Sequence, residues 1–137
     1  MPETITVDYD KLNDDNDVEL VFTRQINSVG KQVYILPTHT AASPQKLELY
    51  RTFPKRSGNN PGARKVTMKI TLTKSYTDLA GNSVTGPVIM EQSFSIPDGV
   101  ADADVLEARM LGVAILDKDT LADPLVNQQV FPEGTLS

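Results

Sequence analysis

The chain of 137 residues has no cysteine and no tryptophan, one histidine, four phenylalanines and four tyrosines. Without cysteine there is no disulfide framework, no thiolate metal site and no cysteine nucleophile. No apolar run approaches the roughly 20 residues needed to span a bilayer, so no membrane partner is expected. The start, Met-Pro-Glu-Thr, lacks the basic and apolar regions of a secretory signal. The expectation is a soluble, unsecreted protein that is indifferent to redox state. Catalytic patterns are missing as well. The single histidine, His39, sits in a Thr-His-Thr stretch, and no Gly-x-Ser-x-Gly accompanies it. There is no phosphate-cradling Walker loop and no Gly-x-Gly-x-x-Gly. Residues 14–19, Asp-Asp-Asn-Asp-Val-Glu, suggest a calcium loop. Leu20 stands sixth from Asp15, however, where that loop requires glycine, and a solvated acidic loop is the plainer reading. No catalytic residue, metal ligand or cofactor is therefore assigned.

What is present fits one domain over residues 1–137. Its 39% hydrophobic and 23% charged content suffices for a core and argues against global disorder. The net charge of −5 conceals a segregation. Residues 1–30 carry a balance of −5, residues 98–137 carry −6, and residues 46–77 carry +7. The bases of that middle block are Lys46, Arg51, Lys55, Arg56, Arg64, Lys65, Lys69 and Lys74. Such a block is either a patch that faces a polyanion or a strand pair kept soluble by its lysines. Composition leaves both open.

Hydrophobic periodicity divides the chain into strands followed by helices. Residues 4–8 alternate as a short strand, and residues 10–17 read as an acidic loop. Residues 18–26 and 31–36 read as a hairpin about the turn at 27–30, with Val18, Leu20, Phe22 and Ile26 on one parity. Three later segments alternate more clearly. Lys46, Glu48, Tyr50 and Thr52 oppose Leu47, Leu49, Arg51 and Phe53. Lys65, Thr67, Lys69 and Thr71 oppose Val66, Met68, Ile70 and Leu72. Ile89, Glu91, Ser93 and Ser95 oppose Val88, Met90, Phe94 and Ile96, with Gln92 breaking the apolar row. A period of two predicts an antiparallel sheet with one buried and one wet face. Residues 57–62 and 77–87 are expected to be loops.

After Pro97 the period changes. Residues 102–116 predict a helix, with Asp102 or Asp104 as N-cap. Its apolar residues, Leu106, Met110 and Val113 among them, point in most directions, so it needs cover on more than one side. A second helix is expected over 121–128 with Thr120 as N-cap and Pro124 in its first turn. Residues 130–134 are expected to be irregular. The architecture is α+β: residues 1–36 form N-terminal strands and a hairpin, 46–97 the main sheet, and 102–128 the helices. A monomer buries these surfaces poorly. A dimer whose helices lie across the partner's sheet buries them well, which places Leu106, Met110 and Val113 at a dimer interface.

This ordered set resembles the coat proteins of single-stranded RNA bacteriophages, the leviviruses. The stretch Arg64-Lys65-Val66-Thr67-Met68-Lys69-Ile70 is similar to that family's central Arg-Lys-x-Thr-x-Lys strand. The close of a strand at Ser95-Ile96-Pro97, the acidic helix start, and the short helix around Ala122-Asp123-Pro124-Leu125 follow in the same order. The hairpin with Arg24-Gln25-Ile26-Asn27 and Val33-Tyr34-Ile35-Leu36-Pro37 is similar to divergent members. The resemblance implies an interlocked dimer with a continuous sheet. It further implies an icosahedral shell, packaged single-stranded RNA, and an RNA hairpin bound to repress translation. Carried over by position, the RNA-facing residues would be Lys46, Glu48, Tyr50, Thr52, Lys65, Thr67, Lys69, Thr71, Glu91 and Ser93. The expected location is the virion, assembled in the bacterial host cytoplasm. The competing readings are a cellular nucleic-acid-binding module that does not assemble and, with less support, a small hydrolase or isomerase.

Overall fold

The computed structural model describes residues 3–12, 14–117, 119–129 and 131. Six strands precede two helices: β1 (Thr4–Tyr9), β2 (Val18–Asn27), β3 (Lys31–Ile35), β4 (Gln45–Thr52), β5 (Ala63–Thr77), β6 (Ser83–Pro97), α1 (Asp102–Leu116) and α2 (Asp119–Gln128). The chain divides into two compact units, the sheet over residues 1–97 and the helices from 98 onward.

The sheet is an antiparallel meander in the order β1-β2-β3-β4-β5-β6. Its register follows the alternation of the sequence. Leu47 pairs with Ile70 and Ile70 with Met90, while Tyr50 pairs with Thr67 and Thr67 with Ser93. Cross-strand partners share a face. The apolar rows therefore stack on one side and the Lys/Thr/Glu/Ser rows on the other. On the apolar side Phe22, Tyr34 and Leu36 form the buried core, flanked by Ile5, Leu20, Leu47, Leu49 and Leu72. Tyr34 is completely enclosed. The core thus sits over β1–β4 and the near part of β5.

Several local expectations are corrected. Ile26 does not share a face with Phe22. A bulge between Arg24 and Ile26 inserts one residue, so Arg24 pairs with Tyr34 but Ile26 with Val33 on the opposite face. The loop expected over 77–87 is mostly strand. The β5–β6 ladder runs on through Lys74↔Gly86 to Thr77↔Ser83, and only residues 78–82 turn. There Asp78 accepts hydrogen bonds from the backbone N–H of Ala80 and Asn82, and Gly81 takes φ +85°. Pro87 is tolerated inside a strand because β6 is an edge of the sheet and has one side without ladder bonds.

In the helical unit, Ala101 rather than Asp102 or Asp104 occupies the N-cap position, with no side-chain cap. The two aspartates lie in the first turn, where they oppose the positive end of the helix dipole. No residue of α1 is buried. The second helix begins at Asp119, not after Thr120, which puts Pro124 in the helix interior and removes one backbone hydrogen bond there. The irregular end expected over 130–134 lies, apart from Phe131, outside the described residues. No helix among the described residues is long and apolar enough to cross a membrane.

Candidate nucleic-acid interface

All ten residues carried over as RNA-facing fall on the polar side of β4, β5 and β6. Lys46 pairs with Thr71, Glu48 with Lys69, Tyr50 with Thr67 and Thr52 with Lys65. On the other flank of β5, Lys69 pairs with Glu91 and Thr67 with Ser93. Strand alternation alone brings these ten together. It also removes part of the basic block from this face. Arg51, Arg64 and Lys74 have the opposite parity and stand on the apolar side, opposite Val66, Ile96 and Gly86.

The face is not uniformly wet. Glu48 and Thr71 are each only 4% exposed. Glu48 has an explicable environment. Val33, its register partner on β3, is also buried. The Glu48 carboxylate pairs with the Lys46 ammonium at 3.1 Å and with the Lys31 ammonium at 3.8 Å. It also accepts a hydrogen bond from the Tyr50 hydroxyl. Burial pushes the Glu48 carboxyl up. The Tyr50 hydrogen bond and the Lys46 and Lys31 charges outweigh that push, and hold it below its ordinary value. The hydrogen bond to Glu48, then burial and the charges of Glu48 and Glu91, push the Tyr50 phenol up to about 12. The Lys31 ammonium also lies 5.3 Å from the centre of the Tyr50 ring, a cation–π distance. Tyr50 is thus held at its hydroxyl and across its ring. Lys31 belongs to this cluster and is a residue that the sequence reading missed. Its signal was present, because its parity on β3 sets it opposite Tyr50.

The remaining lysines differ in how they are held. Lys69 meets Glu91 at 3.9 Å, and Glu91 is largely solvated, so that pair is weak. Lys65 is exposed, and no ion pair engages it among the described residues. Its neighbours in the register are Thr52 and Ser95. The Thr67 and Ser93 hydroxyls lie 3.1 Å apart and bond to each other.

Other candidate chemistry resolves into structure. His39 Nδ1 accepts a hydrogen bond from the backbone N–H of Gln45 and so braces the loop before β4. The acidic loop is tied to itself, with Asp10 accepting from the backbone N–H groups of Asp14 and Asp15. Among the described residues, no group of three or more acids or histidines is placed to hold a metal ion. The residues assigned to a dimer interface, Leu106, Met110 and Val113, are 49%, 50% and 57% exposed.

A six-stranded antiparallel sheet followed by two C-terminal helices is the fold of levi-like phage coat proteins. Within that fold, the chain is similar to the virus-like particle protein of bacteriophage AVE019, with a TM-score of 0.72 and 18% identity over 93% of this chain and 97% of that one. It is also similar to the virus-like particle protein of Wenzhou levi-like virus 4, with a TM-score of 0.63 and 23% identity over 98% and 90%. The bacteriophage EMS014 coat protein superposes with a TM-score of 0.67 at 12% identity, over 97% and 99%. No family model matches the sequence, and no curated protein matches it significantly. The likeness is one of fold, at 12–23% identity; packing pattern rather than residue identity specifies such elements.

Proposed function

We propose that this protein is a structural capsid protein without enzymatic activity. It dimerises, assembles into an icosahedral shell and packages single-stranded RNA in the bacterial cytoplasm, so that it becomes a virion component. Its two units serve as one coat domain. The observation that carries this reading is the surface left uncovered in one chain. Helix α1 is apolar on most sides and buries none of its residues. In the sheet, Met68, Val88 and Met90 of the apolar side are exposed as well. Strand β6 adds a free edge of 15 residues, a ready template for pairing with a second copy. Leu106, Met110 and Val113 are the interface residues of that dimer. The near full-length likeness to proteins of virus-like particles supports the step from dimer to shell.

The RNA partner is supported by Lys65, exposed, and Lys69, loosely paired, on one face of a protein with net charge −5. Binding an RNA hairpin as a translational repressor would require, in addition, base-selective groups free to act on that face. Negative-stain microscopy of the purified protein, with its 260/280 nm absorbance ratio, tests the reading. Uniform shells rich in nucleic acid are expected. Dimers that bind RNA without forming shells would favour the non-assembling nucleic-acid module.

A further inference from the structure

We infer that the polar face is graded: single-stranded RNA is held through its sugar–phosphate backbone at the Lys65 end, while at the opposite end Glu48 engages both Lys46 and Lys31 and takes up the Tyr50 hydroxyl. The inference rests on the RNA-packaging reading and says how, and how selectively, that face binds.

The grading follows from where the acids sit. Glu48 has two ammonium groups within 4 Å, those of Lys46 and Lys31. The carboxylate is almost fully enclosed, while the Lys46 and Lys31 side chains are 32% and 42% exposed. Both lysines are thereby paired to the same buried acid. Lys69 is held only loosely by the solvated Glu91. Lys65 stands four residues along β5 from Lys69, about 13 Å away at strand spacing. Its partners across the register, Thr52 and Ser95, both carry hydroxyls. An ammonium with no counter-charge among the described residues, flanked by two hydroxyls, suits a phosphate and its ribose.

Several groups suited to base recognition are engaged within the protein. The Tyr50 hydroxyl donates to Glu48, and the Lys31 ammonium sits against one side of its ring. Thr71 is buried. The Thr67 and Ser93 hydroxyls are bonded together. Backbone contacts give affinity and salt dependence, whereas base contacts give sequence preference. The face offers the first, and part of its capacity for the second is engaged within the protein.

The test is a salt titration of binding by the full chain. The probes are two unstructured RNA oligonucleotides of unrelated sequence and one RNA hairpin. Wild type is expected to bind all three within about threefold, below the roughly tenfold discrimination that one specific base interaction supplies. Lys65→Gln should make the log–log salt slope shallower by about 0.7 for each phosphate it no longer neutralises, while Lys46→Gln changes it by less than half as much. Glu48→Gln should steepen it by about 0.7 for each lysine released, a gain of binding. The two lysine variants are surface changes that keep the stem, so they decide the matter even if Glu48→Gln fails to fold. Equal losses from Lys46→Gln and Lys65→Gln, or tenfold preference for one probe, overturn the inference and leave packaging intact. No salt-dependent binding by wild type overturns the packaging reading itself.

Discussion

Strands β1–β4 and the pair β6 and α1 use hydrophobic residues in opposite ways. In the first region Phe22, Tyr34 and Leu36 are buried against one another within a single chain. In the second, Val88, Met90, Leu106, Met110 and Leu116 are all at least 44% exposed. Apolar area removed from water contributes roughly 25 cal/mol per Å², and only the first region has collected that contribution within one chain. On the proposed dimer, the difference separates two kinds of stability: one belongs to each chain, and the other would arise on association and depend on protein concentration.

Substitutions in each region should therefore fail in different ways. The largest effect is expected from Tyr34→Ala, which empties a fully enclosed site. It should cost about 3–5 kcal/mol at every protein concentration, read by denaturant unfolding. A loss below about 1 kcal/mol would mean that the β1–β4 core is not the folding core of the chain. Next comes Met110→Asp, which sets a charge on the face that the dimer reading covers. Association should weaken roughly 100-fold, about 2.7 kcal/mol, by sedimentation, with the sheet's circular dichroism retained. Unchanged dimers would remove α1 from the interface.

Gly62→Ala tests neither region and serves as a reference. Gly62 has φ +80°, and a Cβ there would lie 2.4 Å from the Lys55 carbonyl oxygen. The strain should cost about 1–3 kcal/mol without altering the dimer's concentration dependence beyond that shift. The smallest effect concerns pH. The Tyr50 phenol is raised from 10.0 to about 12. Between those values the unfolded chain has lost the phenolic proton and the folded chain keeps it, so stability present below pH 10 should fall as pH rises toward 12. Tyr50→Phe should flatten that alkaline limb. Glu48 works in the opposite sense. Its carboxyl is held below 4.5, so its contribution is present above that pH and is lost as pH falls through the lowered folded value.

Much of this architecture was legible in the sequence, for identifiable reasons. Strict alternation over residues 46–53, 64–73 and 88–96 fixed which side chains share a face, and hence the whole roster of the polar side. The helix at 102–116 was readable to its ends because Pro97 precedes it and the period changes. What escaped depended on neighbours far along the chain. The bulge that moves Ile26 across the sheet has no local signature in Arg24-Gln25-Ile26. The extension of β5 and β6 past Gly86-Pro87 depends on β6 being an edge. The burial of Glu48 was not legible either. It requires Val33 and Lys31 from β3 to meet Tyr50 and Lys46 on β4, and alternation marks a glutamate only as polar. Periodicity assigns a residue to a side of the sheet, but how far water is kept from it is decided across strands.

The open edge of β6 has a consequence for fidelity. If two copies join along it, a slip of one residue would turn Met90 and Val88 of one chain toward the Glu91 and Ser93 side of the other. Pro87, which has no N–H, strikes a donor from any register that needs one at that position. On the proposed dimer, a partner in the wrong register would lay its apolar row on the polar side of the sheet, and register is thereby restricted.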